Sequence, residues 1–440
     1  MKMKKFLEHG IYFLALILPF QTRLIIRRGE VGGGFSEYQT IGLYVVDIFL
    51  IALLALFFFY FLSQIRRAQK DDLKIAGIWW IWAGLDLMAF ISIWLSPDKI
   101  LAAYKYVVFL AGIGLFFLVW RASFDKIKFV YFLLLGFVFQ AVLGIIQFLN
   151  QYGFANKYLG LAEHNPKNLG VSVVETVGGD GLARRWLRAY GGLEHPNILG
   201  GILAIGIILV LVLFIRKNYF FGKRRNYWGE YLILFLLSAG LFFTFSRAAW
   251  LSLGMGIAVL SGAFIFKRKW VYLKILGKAL GFLAVLVLVF GLSYKSLVFT
   301  RLTGETQLER KSNQERIDSL KEARGLIKEN WFLGAGIGNY TRVLAEEKEG
   351  HPSWFYQPVH NTFLLVWSEV GIAGLFFYLL LFFYLVWRSL KRGNFLNLAL
   401  LTSLLVLMMF DHWWWSLHFG ILFWALIFGL IMRNNQAGVS

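Results

Sequence analysis

The chain contains no cysteine, so disulfides, thiolate metal centres and cysteine nucleophiles are excluded at the outset. That absence leaves the compartment open, because a chain without thiols can live on either side of a membrane. Charge is scarce as well. Only 16 % of the 440 residues are charged, against roughly 25 % in an ordinary soluble domain. The acidic sign is the scarcer one: 25 Asp and Glu stand against 45 Lys and Arg, a net of +20. Asp and Glu do not cluster at a spacing that suggests a metal site. No internal repeat or low-complexity segment is present, and disorder is a poor fit. What fills the sequence is apolar: hydrophobic residues make up 58 %, including 44 Phe and 17 Trp. A soluble chain of this size has no interior large enough for that surplus, and its natural solvent is lipid. On a soluble protein the basic excess would suggest nucleic acid. In a polytopic membrane chain it reads first as positive-inside bias, so no nucleic-acid partner is expected.

A spanning helix needs about 20 mostly apolar residues. Such runs lie at 6–25, 41–64, 74–96, 99–120, 127–149, 197–215, 228–245, 247–266, 271–292, 361–387, 395–410 and 415–432. They predict an all-α polytopic membrane protein of about twelve transmembrane helices. As one helix, Tyr227 to Phe266 would run about 60 Å, twice the roughly 30 Å of hydrocarbon. A turn is therefore expected at Thr244-Phe245-Ser246-Arg247. Met1-Lys2-Met3-Lys4-Lys5 and the following apolar run read as an uncleaved signal anchor, since no small-residue cleavage site follows.

Charge orients the bundle. Basic clusters at Lys2, Lys4 and Lys5, at Arg66, Arg67 and Lys70, at Arg121, Lys126 and Lys128, and from Arg216 to Arg225 fall on alternate connections. So do Lys267 to Lys269, Arg388, Lys391, Arg392 and Arg433. These connections and both termini are assigned to the cytoplasm. The six prolines then fall in or beside the outer face, where irregular backbone is tolerated. Three regions result: spans one to nine with outer loop 150–196 in residues 1–292, an outer loop at 293–360, and spans ten to twelve with a tail in 361–440. The 293–360 loop carries its own helix. Ser312-Asn313-Gln314-Glu315 reads as a capping box. Ile317, Leu320, Ala323 and Ile327 follow on one face, with Arg316, Asp318, Lys321 and Glu322 on the other. Gly334-Ala335-Gly336-Ile337-Gly338 then makes a turn. No strand precedes it, so it is no dinucleotide fingerprint.

The residues able to carry chemistry gather on the outer face. Arg184, Arg185 and Arg188 run against the positive-inside bias just before His195-Pro196-Asn197, which also suits the start of a helix. Arg247 sits in a turn with almost no loop between two apolar helices. An arginine there snorkels to the interface or faces a cavity, where guanidinium grips phosphate with two parallel hydrogen bonds. His360 is an imidazole at the outer surface, suited to general-base work near neutral pH, and Asn361 beside it suits an N-cap. Gly371 and Gly374 would let a neighbouring helix approach closely. Asp411 and His412 open onto Trp413-Trp414-Trp415, which reads as an interfacial aromatic belt. Either polar residue is a candidate for orienting a substrate.

In this order the motifs resemble the O-antigen ligase/O-antigen polymerase superfamily of bacterial envelope glycosyltransferases. The resemblance rests on Arg188…Gly191…His195-Pro196-Asn197 and Phe245-Ser246-Arg247-Ala248-Ala249-Trp250. It rests also on the outer helix followed by Trp331-Phe332-Leu333-Gly334-Ala335-Gly336, and on His360-Asn361 with Gly371 and Gly374. It implies a glycosyltransferase-C-like, metal-independent enzyme without cofactor in the bacterial inner membrane, its site extracytoplasmic. The donor would be a glycan on undecaprenyl diphosphate and the acceptor a hydroxyl of a glycolipid or glycan, such as lipid A-core. Arg188 and Arg247 would hold the diphosphate, and His360 would act on the acceptor. Arg185, His195, Asn197, Asn361, Asp411 and His412 are expected to line the substrate.

Chemistry agrees with that expectation. Glycosyl transfer from a diphosphate builds negative charge on the leaving group, and fixed arginines stabilise it as it develops. Direct displacement with inversion is expected. A polymerase of the same superfamily and a protein O-oligosaccharyltransferase use the same parts. A lipid-linked sugar transporter fits less well, because transporters place ionisable residues near the midplane. Here Asp47 and Asp86 are the main ones, and either suits a helix–helix polar contact.

Overall fold

The computed structural model describes residues 2–65, 76–177, 182–221 and 226–433. Arg66, Arg67, Lys70, Lys223, Arg224 and Arg225, part of the basic set assigned to the cytoplasm, lie outside the described residues.

The apolar runs are helices: α1 (Lys2–Ile17), α2 (Val45–Ile65), α3 (Ala76–Leu95), α4 (Lys99–Arg121), α5 (Lys126–Asn150), α6 (Pro196–Phe221), α7 (Trp228–Phe243), α8 (Arg247–Phe266) and α9 (Trp270–Ser293). The long loop supplies α10 (Lys295–Thr303), α11 (Gln307–Glu329) and α12 (Tyr340–Glu347). Then come α13 (Thr362–Lys391), α14 (Phe395–Phe410), α15 (Trp413–Ser416) and α16 (His418–Met432). Among the described residues, seven helices are long and apolar enough to cross a membrane: α3, α4, α5, α6, α8, α9 and α13. Shorter apolar helices lie at Val45–Phe61, Trp228–Phe243, Phe395–Phe410 and His418–Met432. This is a mostly helical, polytopic membrane architecture.

Two helices form the centre. α6 is apolar around its whole circumference, so it can satisfy no solvent face, and Ile198 to Ile215 are almost uniformly buried. It packs against α5, α7, α8, α9 and α14. α16 is buried along its full length and lies against α4 and α13. Asp47 on α2 meets His418 Nε2 at 2.5 Å, the helix–helix contact expected of it.

Several expectations need correction. Short paired strands accompany the helices. Strands β1 (Arg23–Arg27) and β4 (Ile41–Tyr44) pair, as do β2 (Glu30–Val31) and β3 (Gly34–Phe35), and β5 (Val173–Val177) and β6 (Ala183–Leu187). The first span stops at Ile17 rather than 25, just before Pro19, whose ring cannot continue the helix hydrogen bonds. The Trp413–Trp415 triplet is no interfacial belt. Each tryptophan is at most 2 % exposed, and Gly201 and Gly420 leave the room that Trp413 fills. The 312–315 capping box lies inside α11, which begins six residues earlier at the Thr306 cap, whose hydroxyl accepts from Glu309 N. Of the predicted inner face, Ala323 and Ile327 are buried, whereas Ile317 and Leu320 are exposed.

Gly371 does more than admit a neighbour. It breaks α13 with φ 71°, and a Cβ there would lie 2.0 Å from Phe332 O. The break exposes the carbonyls of Ser368 and Glu369, which accept from Ala335 N at 2.8 Å and Gly336 N at 2.9 Å. Ile372 N in turn donates to Trp331 O at 2.9 Å. The glycine run thus forms the expected turn and clasps the outer loop to α13. Between α12 and the clasped end of α13 the chain runs through Gly350, which has open space around it.

Candidate active site

The elbow between α7 and α8 is where the site begins. The last carbonyls of a helix need donors from elsewhere. Here Phe243 O accepts from Ala189 N at 2.9 Å, Thr244 O from Arg188 Nε at 2.6 Å, and Phe245 O from Arg301 Nε at 3.0 Å. Phe245 adopts φ 47°, a left-handed conformation that costs a non-glycine residue of order 1–3 kcal/mol. Its fully buried ring, near Phe148, Phe242 and Trp250, holds it there. The turn therefore presents Arg247, the first residue of α8, in a fixed position.

Arg247 faces a cleft of about 420 Å³. Its walls include Asn197, Ser246, Arg301, Asn313, Arg316 and His360-Asn361. Arg247 Nη2 donates to Asn313 Oδ1 at 2.8 Å and lies 3.6 Å from the buried Glu309 carboxylate. Glu309 also pairs with Arg301. Burial lowers the Arg301 guanidinium below its ordinary pKa and Glu309 opposes that; arginine stays charged in any case. Three guanidiniums against one carboxylate leave the cleft wall cationic, a fit for an anion bearing more than one negative charge.

His360 lines the same cleft. Asn361 caps α13 as expected, accepting from Leu364 N, and donates to Met409 O at 3.1 Å. His360 Nδ1 is buried, without a hydrogen-bond partner among the described residues, and faces Asp411 Oδ1 at 3.9 Å. Asp411 is fixed from behind: Oδ2 accepts from Asn197 Nδ2 at 3.1 Å, and Oδ1 from His412 N at 2.9 Å. Burial would raise the Asp411 carboxyl, but the facing His360 and the neighbouring imidazoles hold it below the usual carboxylate range. His412 is buried and drawn down to about 3, so it is neutral at pH 7, with Nδ1 at 2.8 Å from Ser416 Oγ. One ligand atom each from His360, Asp411 and His412 lies within 4.8 Å of the others.

The remaining expected residues sit further back. Arg188 is buried and reaches the site through Asn197, donating to its Oδ1 at 2.8 Å and to Ser172 Oγ at 2.7 Å. His195 Nδ1 accepts from Asn197 N at 3.1 Å, which makes it part of the α6 start. Burial, then the nearby Arg188, lowers it to about 3, so it stays neutral. Arg185 on β6 is away from the cleft and reaches the carbonyls of Lys167 and Asn168 at 3.4 Å. The sequence pattern did not single out Arg301, Asn313 or Arg316 for the site. Arg316, on the polar face of the outer helix, lines the cleft together with Asn313 and with Leu320 of the apolar face.

Residues 231–379 match the family model described as O-antigen ligase. Over that stretch the chain is similar to the O-antigen ligase family. No curated protein matches the chain. The matched stretch runs from α7 through the break in α13 and contains the cleft residues Arg247, Arg301, Asn313, Arg316 and His360-Asn361. Arg188, Asn197, Asp411 and His412 complete the constellation from outside the matched stretch.

Proposed function

We propose that this O-antigen ligase-type enzyme moves a glycan from undecaprenyl diphosphate to an acceptor hydroxyl on the outer face of the bacterial inner membrane, with about twelve spans and both termini cytoplasmic. The observation that carries the proposal is one cleft lined both by guanidiniums and by an imidazole that faces a carboxylate. The anomeric C–O bond to the diphosphate breaks while the acceptor oxygen bonds to the same carbon from the opposite face, inverting it. The charge that collects on the leaving diphosphate meets Arg247 and Arg316, with Arg301 behind them. The acceptor proton passes to His360. Asp411 orients that imidazole across a contact that tightens as substrate binds, and Asn197 and Arg188 hold Asp411 in place. Arginines supply the positive charge, so the transfer needs neither metal nor cofactor. Ile317 and Leu320, exposed beside the arginines, offer an apolar surface to the carrier lipid. Lipid A-core or another cell-surface glycolipid is the proposed acceptor.

Purified protein with an undecaprenyl diphosphate-linked oligosaccharide and lipid A-core should yield the coupled product, with inverted configuration, and free undecaprenyl diphosphate. A second lipid-linked repeat and a peptide serve as rival acceptors. Product only on the lipid-linked repeat would make the enzyme a polymerase. Product only on the peptide would make it a protein glycosyltransferase. Absence of transfer to all three would overturn the proposal.

A further inference from the structure

The group His360, Asp411 and His412 has more organisation than a base with its orienting carboxylate requires. His360 Nδ1 and His412 Nε2 both stand 3.9 Å from the same atom, Asp411 Oδ1. Both distances exceed a hydrogen bond. His412 is buried, and its other ring nitrogen is taken by Ser416 Oγ, which holds Nε2 toward the carboxylate. Asp411 Oδ2 is held by Asn197. Outer contacts of this kind orient the ligands of bound metals. His360 lines the cleft, so a central ion would have a route in and an open position on that side.

We propose that His360, Asp411 and His412 form a Zn²⁺ site, and that its occupancy switches transfer off. Two imidazole nitrogens and one carboxylate oxygen are the donor set of a borderline cation, whereas Ca²⁺ and Mg²⁺ prefer oxygen alone. Zinc binds such atoms at about 2.0–2.2 Å, which sets ligand atoms about 3.3 Å apart in a tetrahedral shell. Side-chain rotation closes the two 3.9 Å pairs by about 0.6 Å and the His360–His412 pair, at most 4.8 Å apart, by up to about 1.5 Å to reach that spacing. The inhibition follows from proton counting. A neutral imidazole has one lone pair free to accept a proton. Zinc on His360 Nδ1 takes that pair, which leaves Nε2 as N–H, a donor with no capacity to deprotonate the acceptor hydroxyl. Asp411 is drawn to the ion and no longer orients the ring. The inhibitory half of the proposal rests on His360 being the base; the binding half does not.

The test begins with binding alone. Full-length protein in lipid nanodiscs is stripped with EDTA and titrated with ZnCl₂ by calorimetry. One Zn²⁺ per chain is expected. Asp411→Asn, His412→Ala and His360→Ala should each weaken it at least tenfold, and His351→Ala, in the exposed outer loop, should not. His360 is on the cleft wall, so its variant remains informative if the more buried substitutions fail to fold. No binding, or binding unchanged by the His360 substitution, overturns the site. Transfer is then assayed with and without equimolar Zn²⁺. At least tenfold inhibition reversed by EDTA supports the switch. Unchanged transfer in zinc-loaded protein overturns it. A preparation inactive on every acceptor indicts the proposed function and leaves the calorimetry standing.

Discussion

Asn197 donates its side-chain amide to Asp411 Oδ2 at 3.1 Å, and the same amide's oxygen accepts from Arg188 Nη2 at 2.8 Å. One residue at the start of α6 thereby ties a buried guanidinium to the carboxylate that faces His360. Asn197→Ala should lower kcat about tenfold or more with little change in donor KM, because it frees Asp411 without touching the arginine wall. His360→Ala should cost about 10²–10⁴ in kcat, the usual range for losing a general base. Steady-state kinetics with varied donor separate the two. A KM effect alone from Asn197→Ala would remove it from the orienting chain.

Arg247 and Arg316 face the cleft from different helices. Arg247→Ala should reduce kcat about 10²–10³-fold, the typical loss of one preorganised donor to a developing charge. Arg247→Lys should recover only part, since an ammonium cannot grip phosphate in the bidentate manner of guanidinium. Arg316→Ala should show a smaller loss with raised donor KM, as among the described residues its side chain is held by a long 3.4 Å contact with Phe410 O. Equal, negligible effects of all three would argue that the donor binds elsewhere.

Arg188 makes a different prediction. Its three bonds satisfy Thr244 O, Ser172 Oγ and Asn197 Oδ1. Arg188→Met leaves buried polar groups without that donor, at about 1–3 kcal/mol each. A drop in Tm of several degrees should accompany the loss of transfer, whereas Arg247→Ala should leave Tm almost unchanged. Thermal unfolding of both variants in detergent decides this.

How much of this was legible beforehand depended on distance along the chain. Uniform apolar runs marked apolar helices, seven of them long enough to cross a membrane among the described residues, because lipid and the buried centre both accept them. The elbow at 244–247 was legible from length alone. Asp411 and His412 were singled out only individually; their meeting with His360 depends on how α13 and α14 pack. Asn313 and Arg316 were hidden for another reason: polar residues on an amphipathic helix look the same whether they face water or a cleft, and Arg301 lies on the separate short helix α10. The true cap of α11, Thr306 with Glu309 three residues on, fits the same motif as the one chosen at 312–315. Glu309 pairs with Arg301 instead of completing the box, which local pattern does not reveal. The strands β5 and β6, rich in valine at one end, flank a glycine-rich stretch and were within reach of a hairpin reading.

Gly371→Ala should be far more damaging than Gly374→Ala. The first puts a methyl 2.0 Å from Phe332 O at φ 71°; at the second the backbone is not left-handed and the nearest atoms are Val370 Cγ2 at 2.4 Å and Cβ at 2.9 Å on the same helix. Gly371→Ala should abolish a monodisperse size-exclusion peak, while Gly374→Ala should retain it with reduced Tm.

Acid should loosen the fold through buried imidazoles. His195 and His412 are held near 3 and His164 near 4, chiefly by burial, against about 6.5 unfolded. A lowered histidine pKa stabilises the fold fully above the unfolded value and progressively less as pH falls from about 6.5 toward 3. Glu194, raised to about 7 by burial and by Glu37, acts with the opposite sign. The informative measurement is therefore a difference. Between pH 4 and 6, His195→Gln should reduce the slope of stability against pH by about one proton. An unchanged slope would show that His195 is already protonated in the fold.

The clasp between residues 334–336 and the break in α13 divides the outer loop into stretches with different tolerance for change. Gly350 is exposed, has φ 86° and has nothing within contact range of an added side chain. Foreign sequence spliced there should leave helix packing and cleft undisturbed. An epitope placed at Gly350 would thus be a reporter on an intact enzyme: antibody binding to whole spheroplasts reads which side of the membrane the loop occupies. The same insertion at Gly336, jammed against Ser96, would destroy the protein it was meant to report on.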